Sequence, residues 1–151
     1  MAYNNKTSFY ASGFSKLWGL LAILALAACA HLPGYTLNSD VLFAFGSAQL
    51  TAEGRAEVDR VARELRAYPN TRIQVIGHTD RIGDLEANRR LSLRRAETVR
   101  ARLISDGMDP NKVQALGVGA SDPVVECNQR IESQLINCLA PNRRVEIKTV
   151  R

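Results

Sequence analysis

The segment GHTDRIGDLEANRRLSLRRA, residues 77–96, decides how this chain is built. Upstream of it, Ile73, Val75 and Ile76 form a strand-like apolar run that ends at Gly77. Downstream, an Ala-, Leu- and Arg-rich continuation has the composition of a long helix. That helix does not sort its residues in the usual way. With Leu91 at the origin and about 100° per residue, Asn88, Arg95, Ser92, Val99 and Leu103 fall together between roughly 40° and 120°. One stripe therefore carries polar groups in its first turns and apolar groups in its last. An ordinary amphipathic helix would keep the stripe apolar throughout and send Arg95 to the solvent face. Arg89, Arg90, Arg94 and Arg100 lie off its centre and read as solvated charges.

The top of the stripe fits a cleft better than a core. Asp80 sits in the loop before the helix, so a carboxylate and a guanidinium can point into one crevice at the carboxyl end of a strand, where open α/β sheets tend to bind ligands. Such a pair suits a zwitterion, with Asp80 receiving an ammonium and Arg95 gripping a carboxylate in a two-pronged fork. Two plainer readings stand beside it: Asp80 and Arg95 pair with each other, or Asp80 caps the helix near Gly83. His78, Asp80 and Ser92 contain the residue types of a hydrolytic triad. Ser92, however, lies inside a helix without a nucleophile elbow or oxyanion loop, so no enzyme is expected, and His78 reads as a strand-end residue hydrogen-bonded to the loop.

Around this centre the chain alternates strands and helices. Val41–Phe45 reads as a first strand. Thr51 is a candidate N-cap for a helix whose stripe Val58, Val61, Ala62 and Leu65 faces the core and stops near Pro69. Residues 71–77 give a second strand, 85–105 the long helix closed by Gly107 and Pro110, and 113–118 a third strand. Residues 143–150 give a fourth, with Val145, Ile147 and Thr149 on one face and Arg144, Glu146 and Lys148 on the other. By parity Arg143 shares the face of Val145 and leans toward the cleft or ends as a solvated strand-end charge. The pattern is a two-layer α/β sandwich, β-α-β-α-β-β, with a mixed sheet packed on helices. The hydrophobic share of 46% is enough for one real core. A net charge of +5 permits a nucleic-acid partner, but scattered arginines and sparse aromatics argue against one.

Gly77-His78-Thr79-Asp80, Gly83, Asn88, Leu91-Ser92, Arg95-Ala96, Val99 and Asn142-Arg143-Arg144-Val145-Glu146-Ile147 together resemble the signature of the OmpA-like peptidoglycan-binding domain. The resemblance spans residues from about 40 to 150, in the family's order. It implies that Asp80 and Arg95 hold the amino and carboxylate groups of meso-diaminopimelate in the peptidoglycan stem peptide. It further implies that Asn88 adds a hydrogen bond or braces the loop, and that Phe45 and Gly46 form a strand-end turn beside the ligand. No cofactor and no metal is implied.

Residues 1–28 have the form of a signal peptide: Lys6 and Lys16 precede an apolar run from Leu17 to Ala28 that is too short to span a bilayer. Leu26-Ala27-Ala28-Cys29 resembles a bacterial lipobox, which implies acylation of Cys29 and, since Ala30 follows it, an outer-membrane destination. The plainer alternative is cleavage after Ala28 with a free Cys29. Residues 29–39 then serve as lipidated cysteine and short linker, and residues 40–151 as the binding domain. Cys127 and Cys138 remain, and an exported setting makes a disulfide the first expectation. Their loop resembles that of OmpA itself more than that of the Pal-type domains. The partners expected are peptidoglycan, the outer membrane through the lipid and, through a second surface, other envelope proteins, including those of a Tol-Pal system.

Overall fold

A computed structural model describes residues 32–150; the expectations placed on the signal peptide and on Cys29 lie outside these residues. Four strands form one sheet: β1 (Gly34–Asn38), β2 (Arg72–His78), β3 (Val113–Gly119) and β4 (Arg144–Val150), in the order β1-β4-β2-β3. β4 runs antiparallel to both of its neighbours, whereas β2 and β3 are parallel, so the sheet is mixed, as the sequence implies. Parallel neighbours need a crossover, and α3 (Leu85–Ser105) supplies it. The other helices are α1 (Ser39–Leu42), α2 (Ala52–Leu65) and α4 (Glu132–Cys138), with a 3-10 turn at Ala140–Asn142. No helix among the described residues is long and apolar enough to cross a membrane.

Strand alternation sends Ile73 and Val75 of β2 and Val145 and Ile147 of β4 to the helical side of the sheet. There they meet Val58, Val61, Ala62 and Leu65 of α2 and Ala96, Val99 and Leu103 of α3 in one core. Each fully buried Val or Leu contributes about 1.5–3 kcal/mol of apolar transfer energy. The helix ends follow local chemistry. Thr51 Oγ1 accepts from Gly54 N at 2.8 Å, and Asp84 Oδ1 accepts from Ala87 N at 2.8 Å. Gly107, at φ +98°, takes the left-handed conformation that closes α3.

The first strand departs from the sequence reading. Residues 41–45 do not form it; Gly34–Asn38 does, within the segment read as linker. Asn38 explains the difference, because its Oδ1 accepts from Asp40 N at 2.7 Å and turns the chain into α1. Of the supposed strand only Phe43 pairs, in a single bridge with Leu50. The strand at Gly34–Asn38 escaped notice because it buries only Leu37 and starts beside Pro33 and Gly34, the marks of a linker.

Candidate functional site

β2 ends at His78, and the chain from Thr79 to Asp84 loops from the carboxyl end of this interior strand into the first turn of α3. A cleft of about 330 Å³ opens there, lined by Asp40, Phe45, Gly46, Thr79, Asp80, Ile82, Asn88, Leu91, Arg95, Ile136 and Arg143. All six candidate binding residues in the described chain, Phe45, Gly46, Asp80, Asn88, Arg95 and Arg143, line it. Asp40 and Ile136 were not found by sequence reasoning. Asp40 falls between the segment read as linker and the segment read as first strand, and Ile136 lies on a helix without a buried face.

The two central side chains do not pair with each other. Asp80 Oδ2 accepts from an Arg143 Nη at 2.7 Å, and its Oδ1 accepts from Ile82 N at 2.9 Å. Nor does Asp80 cap the helix, since Asp84 does so. Arg143 also grips Asp40, through Nε at 3.0 Å and its second Nη at 2.7 Å, and donates to the carbonyl of Ile136 at 3.0 Å. Its guanidinium is consequently held even more firmly in the charged form, chiefly by its hydrogen bonds to Asp40.

Arg95 stands differently. It is 5% exposed, its Nε donates to the carbonyl of Ser47 at 2.9 Å, and its guanidinium carbon lies 5.1 Å from the Phe43 ring centre. Among the described residues it makes no salt bridge. Burial disfavours its charge, and the positive neighbour Arg143 adds to that, so its pKa is pushed down from the ordinary arginine value. A guanidinium desolvated in this way favours an incoming anion.

The loop that carries Asp80 is braced by Asn88, whose Nδ2 donates to the carbonyls of Ile82 at 2.9 Å and Asp80 at 3.3 Å. Gly46 takes φ +64°, which turns Phe45 fully outward at the cleft mouth. Ile136 faces the cleft from α4, which carries one half of the Cys127–Cys138 disulfide expected from the sequence. Asn142 ties down the segment before it, accepting from the backbone of Val124 and Val125 at 2.8 and 3.0 Å.

Two expectations need correction. Arg100 is not simply solvated: it is half-buried and its Nε donates to the carbonyl of Val113 at 2.7 Å. His78 does not bond the loop: it is 1% exposed, and neither ring nitrogen has a hydrogen-bond partner among the described residues. It sits on the sheet face away from the helices, 3.9 Å from Asp122 and 3.8 Å from Glu146. Burial, and next the charge of Arg144, push its pKa below the ordinary histidine value. The three acceptors could frame a metal ion, but Arg144 and Lys148 already hold the carboxylates, at 2.8 Å and 2.6 Å from Glu146 and 3.3 Å from Asp122. Ser92 is buried, its hydroxyl donating to the carbonyl of Arg89 at 2.8 Å and accepting from Gly119 N at 2.9 Å.

Known proteins resemble this chain in sequence and in fold. Outer membrane protein A of Escherichia fergusonii is 44% identical over 119 residues, which cover 76% of this chain and 49% of that protein. The chain thus spans about half the length of that curated relative. Among solved structures, the cell wall anchor of the T6SS from Pseudomonas aeruginosa superposes with a TM-score of 0.64 at 32% identity, covering 78% of this chain and 79% of that one. The peptidoglycan-associated lipoprotein from Burkholderia pseudomallei gives 0.62 at 26% identity, covering 76% and 89%. A profile of the OmpA family matches residues 42–136, from the end of α1 through most of α4. The chain belongs to the OmpA family.

Proposed function

We propose that this chain is an outer-membrane lipoprotein, anchored at Cys29, whose domain holds peptidoglycan without a covalent bond through the diaminopimelate of the stem peptide. The observation that carries the reading is Arg95, a buried guanidinium that among the described residues has no carboxylate of its own, in the same cleft as Asp80. The free end of a diaminopimelate residue is a carboxylate and an ammonium on one carbon. Arg95 receives the first in a forked pair, and Asp80 receives the second. Phe45, Ile82, Leu91 and Ile136 offer apolar surface around these charges, which suits the methylene spacer of such a ligand. The chemistry is binding rather than turnover, because Ser92, the nearest hydroxyl of a would-be triad, is buried with both hydrogen-bonding capacities engaged. The names of the relatives, an outer membrane protein, a cell wall anchor and a peptidoglycan-associated lipoprotein, support the same reading.

Acyl chains on Cys29 would fix the domain to the membrane, since two or more such anchors hold stably where one is marginal. A second reading, an anchor for a larger envelope assembly, draws on the 32% identity to the secretion-system cell wall anchor. A Pal-type partner of a Tol system would use the same cleft. The test is co-sedimentation of the full chain with purified sacculi, with Asp80→Ala and Arg95→Ala alongside. Both variants are expected to stay folded and lose binding, with no soluble muropeptides released by any form; retained binding in both would reject the site. Cys29→Ser should move the protein from the membrane to the soluble fraction.

A further inference from the structure

The ammonium half of the cleft is already occupied by the protein itself. Asp80, with its side chain 11% exposed, is held by Arg143 at 2.7 Å. A ligand ammonium must share or take over that oxygen, and a guanidinium this close competes with it directly. Arg143, however, is not committed to Asp80 alone. Its Nε and one Nη face both oxygens of Asp40, at 3.0, 3.2 and 2.7 Å, whereas only the other Nη reaches Asp80. The paired grip is therefore on Asp40 and the single contact on Asp80, and a two-pronged guanidinium–carboxylate pair is the stronger of the two. Asp40 is also more open to water, with its side chain 47% exposed, so it can keep Arg143 without the desolvation that a deeper pair demands.

We infer that Asp40 is a positioning residue: it anchors Arg143 from behind, so that the guanidinium can leave Asp80 when an ammonium arrives without swinging into the carboxylate-binding end of the cleft. This rests on the binding reading above. Without Asp40, Arg143 turns its full fork onto Asp80, and the ammonium site is closed by an internal salt bridge. The cleft thus holds two carboxylates and two guanidiniums, of which one carboxylate, Asp40, never touches the ligand yet decides whether the other is available.

The experiment is a double-mutant cycle on the full chain in detergent, titrated calorimetrically with meso-diaminopimelate, with melting temperatures measured for every form. Asp40→Asn is expected to weaken binding on the order of tenfold, and Asp40→Glu to restore it. In an Arg143→Gln background, the same Asp40→Asn change should have no further effect, because the competitor it restrains is gone. A role of Asp40 confined to holding α1 would give the same loss in both backgrounds and would overturn the inference. So would unchanged binding by Asp40→Asn, or complete loss on Arg143→Gln alone, which would make Arg143 a ligand contact. Failure of the folded wild type to bind meso-diaminopimelate would instead overturn the binding reading and take this inference with it.

Discussion

Gly77 in β2 and Ser92 in α3 touch backbone to backbone: a Cβ built on Gly77 would run into the Ser92 carbonyl. Gly117 stands in the same relation to the backbone of Leu93, so two glycines on neighbouring parallel strands let one helix settle onto the sheet. This approach sets where Arg95, about one turn further along α3, enters the cleft that Asp80 also lines. Gly77→Ala is expected to destabilise the domain by about 3 kcal/mol, at the upper end for overpacking, because backbone rather than a flexible side chain must give way. Chemical denaturation measures this, and the folded fraction should also bind ligand more weakly.

Arg95 is a case in which function and stability separate. Among the described residues its buried charge lacks a carboxylate, so Arg95→Met removes a desolvation cost and keeps most of the packing volume, while leaving the Ser47 carbonyl without its donor. The two effects oppose each other, and the net change in stability is expected to stay within about 1 kcal/mol. Sacculus binding should disappear. Thermal melts run beside the co-sedimentation assay distinguish this from unfolding.

His78 makes the fold sensitive to mild acid. Its native pKa lies below the unfolded value of 6.5, chiefly through burial. Between the native value and 6.5 the unfolded chain binds more protons, so stability rises with pH across that window and falls as pH drops through it. Melting temperature should therefore decline as pH is lowered from about 7.5 to below 6, and the decline should be shallower in His78→Gln. Glu146, held in its charged form by Lys148 and Arg144 against the penalty of burial, acts at lower pH, losing its contribution as pH falls below its unfolded value of 4.5.

Removing the disulfide should act locally as well as globally. The cysteines are 11 residues apart, a loop whose closure constrains the unfolded chain by about 3 kcal/mol in the chain-entropy account. α4 has no buried residue, so the bridge is a principal restraint on Ile136 and on the carbonyl that receives Arg143. The Cys127→Ser/Cys138→Ser variant is expected to lose amide protection across residues 127–138 while β2, β4 and α3 keep theirs, which hydrogen exchange would resolve.

The long helix was legible in the sequence to the residue, because Gly107 ends it and its stripe runs on through Val99 and Leu103, although its cap is Asp84 and not Asp80. The same stripe exposed Arg95 as an arginine in a buried phase, so the heart of the cleft could be read before any coordinates. β1 and α4 could not, since each lacks the periodic burial on which such readings depend. The Asp40–Arg143 pair joins side chains 103 positions apart, a distance over which neither helical nor strand spacing carries a signal.

The edge strand has a mechanical meaning. β1 and β2 both run antiparallel to β4, so Gly34 lies at the end of the sheet opposite the cleft, paired with Lys148, while Asn38 lies at the cleft end, paired with Arg144. Tension applied between the amino-terminal side of the chain and a ligand in the cleft would pull β1 along its own length. The five register pairs with β4 would then be loaded together in shear rather than unzipped one at a time. Short as it is, that ladder would, under the proposed anchoring, be oriented to carry force between a membrane and a wall.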